Sequence, residues 1–130
     1  MQKEEIKFQN SSVFEGMTSI RAILAGNRLG VNDRKIEKII LDRDKIEKNK
    51  KEIGYLRAVS EEKGFSIEET DAQTLDHMTL GASHGGIVAI GGERSILPFR
   101  EDTSLPPDGF FSLIQGIEDP YNFGYALRSL

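Results

Sequence analysis

Residues 110–130, FFSLIQGIEDPYNFGYALRSL, read as an apolar run, a turn and the opening of a helix. Phe110, Phe111, Leu113 and Ile114 have the length and apolar density of a buried strand, and Gly116 ends the run. Asp119 is a good N-cap, and Pro120 occupies the first helical position, where its missing N–H would have had no intrahelical partner. The spacing therefore predicts a helix from Pro120. At 100° per residue, Phe123, Ala126, Leu127 and Leu130 share one stripe, as in a core-facing helix. The other face carries Gly124 and Arg128, four residues apart, with Tyr125 beside them and Asn122 near the positive N-terminal end. A glycine-bared backbone, an amide and a guanidinium at a strand-to-helix junction are what a phosphate or ribose needs in order to approach closely.

Upstream of this stretch, strand and helix alternate. Val13 and Phe14 end a short strand, after a polar start at residues 1–11 that is expected to fray. Met17, Ile20, Ile23 and Leu24 keep helical spacing, with Gly26 placed to stop that helix and Asn27 to Asp33 a loop. Ile36 to Leu41 lacks polar alternation at Ile39-Ile40-Leu41, which predicts a central strand covered on both faces. Asp44 with Glu47 three residues on resembles a capping box, opening a helix through Ile46, Ile53, Leu56 and Val59 that Gly64 terminates. Phe65 and Ile67 alternate with polar neighbours, as in a strand nearer the sheet edge. Asp71 caps a short helix with Leu75 and Met78 inward, and Ile87 to Ile90 forms another buried strand behind a glycine-rich turn. The architecture expected is an α/β sheet sandwiched by helices.

Gly91 to Gly109 breaks the alternation with three prolines and clustered charge, as a linker does. The domain boundary is expected near residue 100, giving one domain over 1–99 and the start of a second over 100–130.

At 130 residues and 38% hydrophobic, the chain holds one modest core. With no cysteine, disulfide scaffolds, thiolate zinc sites and cysteine nucleophiles are excluded. The opening MQKEEIKFQN has no apolar signal core and no transmembrane-length apolar run occurs, so a soluble cytoplasmic protein with no membrane partner is expected. The net charge of −4 argues against an RNA-coating protein, although residues 28–57 hold ten Lys or Arg against six Asp or Glu. That region reads first as a solvated helix with i, i+4 pairs, and second as an RNA-facing patch.

His77 and His84 make no metal-ligand spacing with nearby carboxylates. His77, beside Met78, reads as a structural residue, on a helix surface or partly buried. His84, in Ser83-His84-Gly85-Gly86, reads either as the residue of a tight turn that caps a backbone carbonyl or as an RNA contact. Ser83, His84 and Asp76 do not form a nucleophilic triad, since nothing resembles a nucleophile elbow. The glycines of residues 81–92 match neither a P-loop nor a dinucleotide fingerprint.

The pattern Asp119-Pro120-x-Asn122-x-Gly124-x-x-x-Arg128 resembles the first motif of the SpoU (TrmH-like) family of SPOUT RNA methyltransferases. Phe14-Glu15-Gly16 leading into a helix, and Gly81 to Ile90 (GASHGGIVAI), are similar to that family's N-terminal substrate-binding domain. The resemblance implies a three-layer α/β/α domain with a ribosomal-protein-like RNA-binding fold, followed by the first strand and helix of a trefoil-knot domain. It implies methyl transfer from S-adenosylmethionine to a ribose 2′-hydroxyl of ribosomal or transfer RNA, by a full-length enzyme that is a homodimer. It further implies catalytic roles for Arg128 and Asn122, and RNA contacts at Gly124, His84 and Arg128. Arg128, which stays protonated, cannot be a general base; it would hold the target phosphate and favour a developing 2′-oxyanion. The family's cofactor segments lie beyond Leu130, so this chain is expected to be a fragment that binds no S-adenosylmethionine. The other reading is a non-catalytic RNA- or ribosome-binding module.

Overall fold

The computed structural model describes residues 11–80, 83–96 and 98–130. The expected fraying of the N-terminus, and Gly81 and Ala82 of the glycine-rich turn, lie outside them. The chain divides into two units, residues 1–97 and 98–130.

The first unit is built on a four-stranded sheet in the order β1-β4-β2-β3. Strand β1 is Ser11–Glu15, β2 Ile36–Asp42, β3 Ser66–Thr70 and β4 Ile87–Gly92. Strand β4 runs antiparallel to both β1 and β2, whereas β2 and β3 are parallel. Three helices accompany the sheet: α1 Gly16–Leu29, α2 Lys50–Lys63 and α3 Ala72–Met78.

Strand β2 is central because its side chains have apolar cover on both faces. Ile39 and Leu41 pack with Ile20, Ile23 and Leu24 of α1, with Ile53 and Leu56 of α2, and with Ile87 and Ala89 of β4. Ile40 points the other way, with Val88, onto Leu75 of α3. This period-two division between helices puts consecutive apolar residues inside. Edge strand β3, by contrast, carries Glu68 and Glu69, and Glu68 pairs with Lys38 of β2 at 2.9 Å.

Several local expectations are corrected. Helix α1 does not stop at Gly26 but continues to Leu29, where Gly30 (φ 71°) donates back to the carbonyls of Gly26 and Asn27. Gly26 lacks a side chain for another reason: a Cβ there would lie 2.0 Å from the Asn32 amide nitrogen, so it makes room for the following loop. Asp44 does not open the next helix. Instead Asp42 accepts the Asp44 amide at 2.9 Å, Arg43–Lys45 form a 3₁₀ turn, and α2 begins only at Lys50. Gly91 and Gly92 belong to β4 and not to the linker, because Gly92 N–H donates to the Lys35 carbonyl at 2.9 Å. The other predicted punctuation is found in place: Gly64 (φ 81°) ends α2, and Asp71 accepts the Thr74 amide at 2.7 Å to cap α3.

The end of β4 is fastened. Arg34 stacks over the Phe14 ring at 4.8 Å and donates from Nη1 to the Gly92 carbonyl at 2.6 Å. Asp33 accepts the Ser95 amide at 2.7 Å, and the bonds from Ser95 hold its carboxyl below the ordinary value.

The second unit contains one helix, α4 Pro120–Arg128, with Asp119 accepting the Tyr121 amide at 2.9 Å. The expected strand at Phe110 to Ile114 is irregular. Phe110 and Leu113 are 79% and 90% exposed, and this unit offers no other extended segment to pair with. Apolar density alone does not make a strand: the backbone needs a hydrogen-bonding neighbour. The stripe of Phe123, Leu127 and Leu130 is likewise exposed.

Candidate nucleic-acid interface

The sheet order brings three chain segments to one end of the first unit. Strand β1 finishes at Glu15, β2 finishes at Asp42, and β4 starts at Ile87, with Glu15 opposite Val88 and Leu41 opposite Ile87. A groove of about 340 Å³ opens there. The first turn of α1 (Gly16, Met17, Thr18), the Ser83–Gly85 turn, and Asn49 and Glu52 at the start of α2 line it. The linker side of β4, at Gly92, is at the opposite end of the strand.

Each wall has a chemical reason. Helix α1 starts without a side-chain cap, since Glu15 in the cap position turns away. Its carboxylate instead accepts the Leu80 amide at 2.7 Å and lies 3.4 Å from the Ser83 hydroxyl. The first-turn N–H groups of α1 are thereby left to the groove, a site favourable to negative charge. Gly16 has φ 80°, and a Cβ would sit 3.6 Å from the His84 carbonyl oxygen, so the two segments meet closely.

The opposite wall is the turn through Gly85 (φ 63°) and Gly86 (φ 88°), both left-handed and both natural for glycine. It is held from four directions. Gly86 O accepts the Asp42 amide at 2.8 Å, Gly85 O accepts the Asn49 side-chain amide at 2.8 Å, and Ile87 N–H donates to His84 O at 3.2 Å. Gly86 N–H donates to His84 Nδ1 at 2.9 Å.

His84 is itself buried, only 3% exposed, with Nε2 at 2.8 Å from Asp76 Oδ1. Since Nδ1 accepts, the neutral ring carries its proton on Nε2 and donates it to Asp76. The residue that was expected either to cap a turn or to contact RNA lies in the groove wall and bonds an amide, not a carbonyl. His77 is exposed on α3. Asn49, Glu15 and Asp76 were not foreseen as site residues; only the His-Gly-Gly sequence hinted that a side chain must hold a turn of left-handed residues.

Beside the groove, the 3₁₀ turn and the start of α2 present Arg43, Lys48, Lys50 and Lys51 to solvent, with Lys45 packed close to Gly86. The basic stretch is thus divided. Arg34 and Lys38 are engaged within the fold, whereas these five gather at the sheet end that bears the groove.

In the second unit, Gly124 and Arg128 line a cavity of about 360 Å³ with Pro120, Tyr121 and Tyr125. Asn122 donates to Asp119 Oδ2 at 3.1 Å and so braces the helix start. The structure therefore brings Gly124 and Arg128 together on α4, sets Asn122 against the cap, and has His84 in the other unit. Among the described residues no cluster of His, Asp and Glu could hold a metal ion, and no helix is long and apolar enough to cross a membrane.

Two curated proteins of similar sequence are the 23S rRNA (guanosine-2′-O-)-methyltransferases RlmB of Bordetella pertussis and Bordetella parapertussis. Each is 29% identical over 72 residues, which cover 54% of this chain and 29% of the relative's length. No solved structure matches the chain. The family model described as RNA 2′-O ribose methyltransferase substrate binding matches residues 14–94, from the end of β1 past the end of β4. Matched over more than half its length by that model, the chain belongs to the substrate-binding domain family of the RNA 2′-O-ribose methyltransferases.

Proposed function

We propose that residues 11–96 bind the RNA substrate of a ribose 2′-O-methyltransferase, and that the groove between the start of α1, the Ser83–Gly86 turn and the start of α2 is where they do so. The observation that supports this most is the meeting of uncapped helix amides, a rigid polar turn and a basic rim at one end of the sheet. The amides and lysines suit phosphate, which fixes register on RNA without reading sequence. The groove's carboxylates suit the donor edges of unpaired bases.

The same reading extends to the second unit. Arg128, Gly124 and Asn122 on α4 begin a SPOUT methyltransferase domain, with Arg128 holding the target phosphate and favouring a 2′-oxyanion. Methyl transfer from S-adenosylmethionine, a ribosomal or transfer RNA target, a homodimeric full-length enzyme and a cytoplasmic setting complete the proposal. The exposed stripe of Phe123, Leu127 and Leu130 supports a need for further structure before the catalytic unit can work. The 130 residues are therefore assigned RNA binding alone.

Filter binding to structured ribosomal RNA at two salt concentrations tests the assignment. Saturable binding that weakens steeply with salt is expected. Salt-independent retention, or none, would leave an interaction domain without an RNA role.

A further inference from the structure

We infer that His84 is the positioning residue of the groove: as a neutral ring protonated on Nε2 it locks the Ser83–Gly86 turn in its binding shape, and a second proton on Nδ1 releases it. The inference rests on the RNA-binding reading for its effect on affinity, but the lock itself does not depend on RNA.

Nδ1 is the acceptor for the Gly86 amide at 2.9 Å, in a buried position from which water is excluded. A proton there sets donor against donor, so the bond is lost and the amide is left without its partner. The contact between Nε2 and Asp76 survives, and gains charge. Protonation thus keeps the ring on Asp76 of α3 while removing one of the four hydrogen bonds that hold the turn, and Gly85 and Gly86 have no side chains to hold a left-handed shape by themselves. Movement of this turn bears on two neighbours at once, because Gly85 O bonds Asn49 of the groove wall and Gly86 O bonds the buried Asp42 at the end of β2.

The charged groups around the ring come from every neighbouring element. Asp76, with His77 beside it, lies on α3; Glu15 of β1 binds Leu80 and approaches Ser83. Glu52 of α2 lines the same groove, and Lys45 and Asp42 pack on Gly86. At Nδ1 itself the Gly86 amide faces the ring as a donor, and a second proton there conflicts with it by geometry.

Acidification normally strengthens RNA binding by adding positive charge. The inference predicts the opposite: affinity of the 130-residue chain for structured ribosomal RNA falls about tenfold from pH 7.5 to 5.5, the effect of losing one buried hydrogen bond. His84→Asn cannot be protonated, so, whatever its affinity at pH 7.5, its RNA binding shows no loss on acidification. In two-bond ¹⁵N–¹H spectra His84 shows the Nε2–H form, and the Gly86 amide resonance shifts with its titration. An Nδ1–H tautomer, a Gly86 amide indifferent to the titration, or identical pH profiles for wild type and His84→Asn would overturn the inference. If the chain binds no RNA at pH 7.5 the functional reading fails, and the spectra still decide the lock.

Discussion

Asn49 immediately precedes helix α2, yet its side-chain amide does not cap that helix: it donates to the Gly85 carbonyl 36 residues away, at 2.8 Å. An N-cap residue normally accepts a hydrogen bond from its own helix, so here the local preference yields to a long-range one. Asn49→Ser makes the two separable. Serine caps the helix well but is too short to reach Gly85. Stability to urea is expected to stay within about 1 kcal/mol of wild type, while RNA affinity falls by roughly 5–10-fold. Equal RNA affinity in the variant would show that the bond between Asn49 and Gly85 does not shape the groove.

The two glycines of the turn are not equivalent. Both have positive φ, which costs a side-chain-bearing residue about 1–2 kcal/mol. A Cβ on Gly85 meets nothing within 4 Å, whereas one on Gly86 would lie 2.9–3.0 Å from Lys45 Cδ and Cβ. Gly85→Ala is therefore expected to lose about 1 kcal/mol, and Gly86→Ala clearly more, about 2–3 kcal/mol. Urea midpoints rank them; a reversed order would mean that the Lys45 side chain moves aside without cost.

Much of the first unit was legible because its decisive signals are local. The unbroken Ile39-Ile40-Leu41 run marks a strand covered on both faces, and Gly64 and Asp71 mark helix ends by their own backbone and side-chain chemistry. The groove was not legible, because it exists only where β1, β2 and β4 meet at one end, and strand order is not written in any one segment. The error at Phe110 to Ile114 has the same origin: pairing, which makes a strand, is a property of a neighbour. For α4 the capping signal at Asp119-Pro120 was sufficient, since both groups act within the first turn.

Leu75 links core packing to the groove. It is the one buried residue of the seven-residue helix α3 and sits against Ile40 and Val88. Leu75→Ala should cost about 2–5 kcal/mol by urea unfolding, as expected for a cavity in a close-packed site. Because the next residue, Asp76, holds His84, the variant is also expected to broaden the His84 ring resonances under native conditions. A cost under about 1 kcal/mol would mean that α3 is anchored elsewhere.

Asp71 gives a pH signature independent of His84. Its carboxyl lies below the ordinary 3.8 because the Thr74 backbone amide and side chain hydrogen-bond it in the folded state. A folded value lower than the unfolded one means that the contribution is present above the unfolded value, and is lost as pH falls through the folded one. Between pH 5 and 3 the urea midpoint of wild type should therefore drop more than that of Asp71→Asn, which caps without titrating. Parallel curves would assign the acid loss to other carboxylates.

The basic rim makes a prediction about slope instead of affinity at a single salt. Lys48, Lys50 and Lys51 are exposed, and Asn49 among them lines the groove. If they neutralise RNA phosphates, each releases counterions on binding, and the logarithm of the binding constant falls linearly with the logarithm of salt. The triple change to glutamine is expected to reduce that slope by about 2–3, roughly 0.7–0.9 per contact removed. It should leave the urea midpoint almost unmoved, since exposed lysines contribute little to folding. Lys35 and Lys63, at the end of the sheet away from the groove, supply the internal control: replacing both should change the slope little. A larger effect from Lys35 and Lys63 than from Lys48, Lys50 and Lys51 would move the RNA path to the opposite end of the sheet.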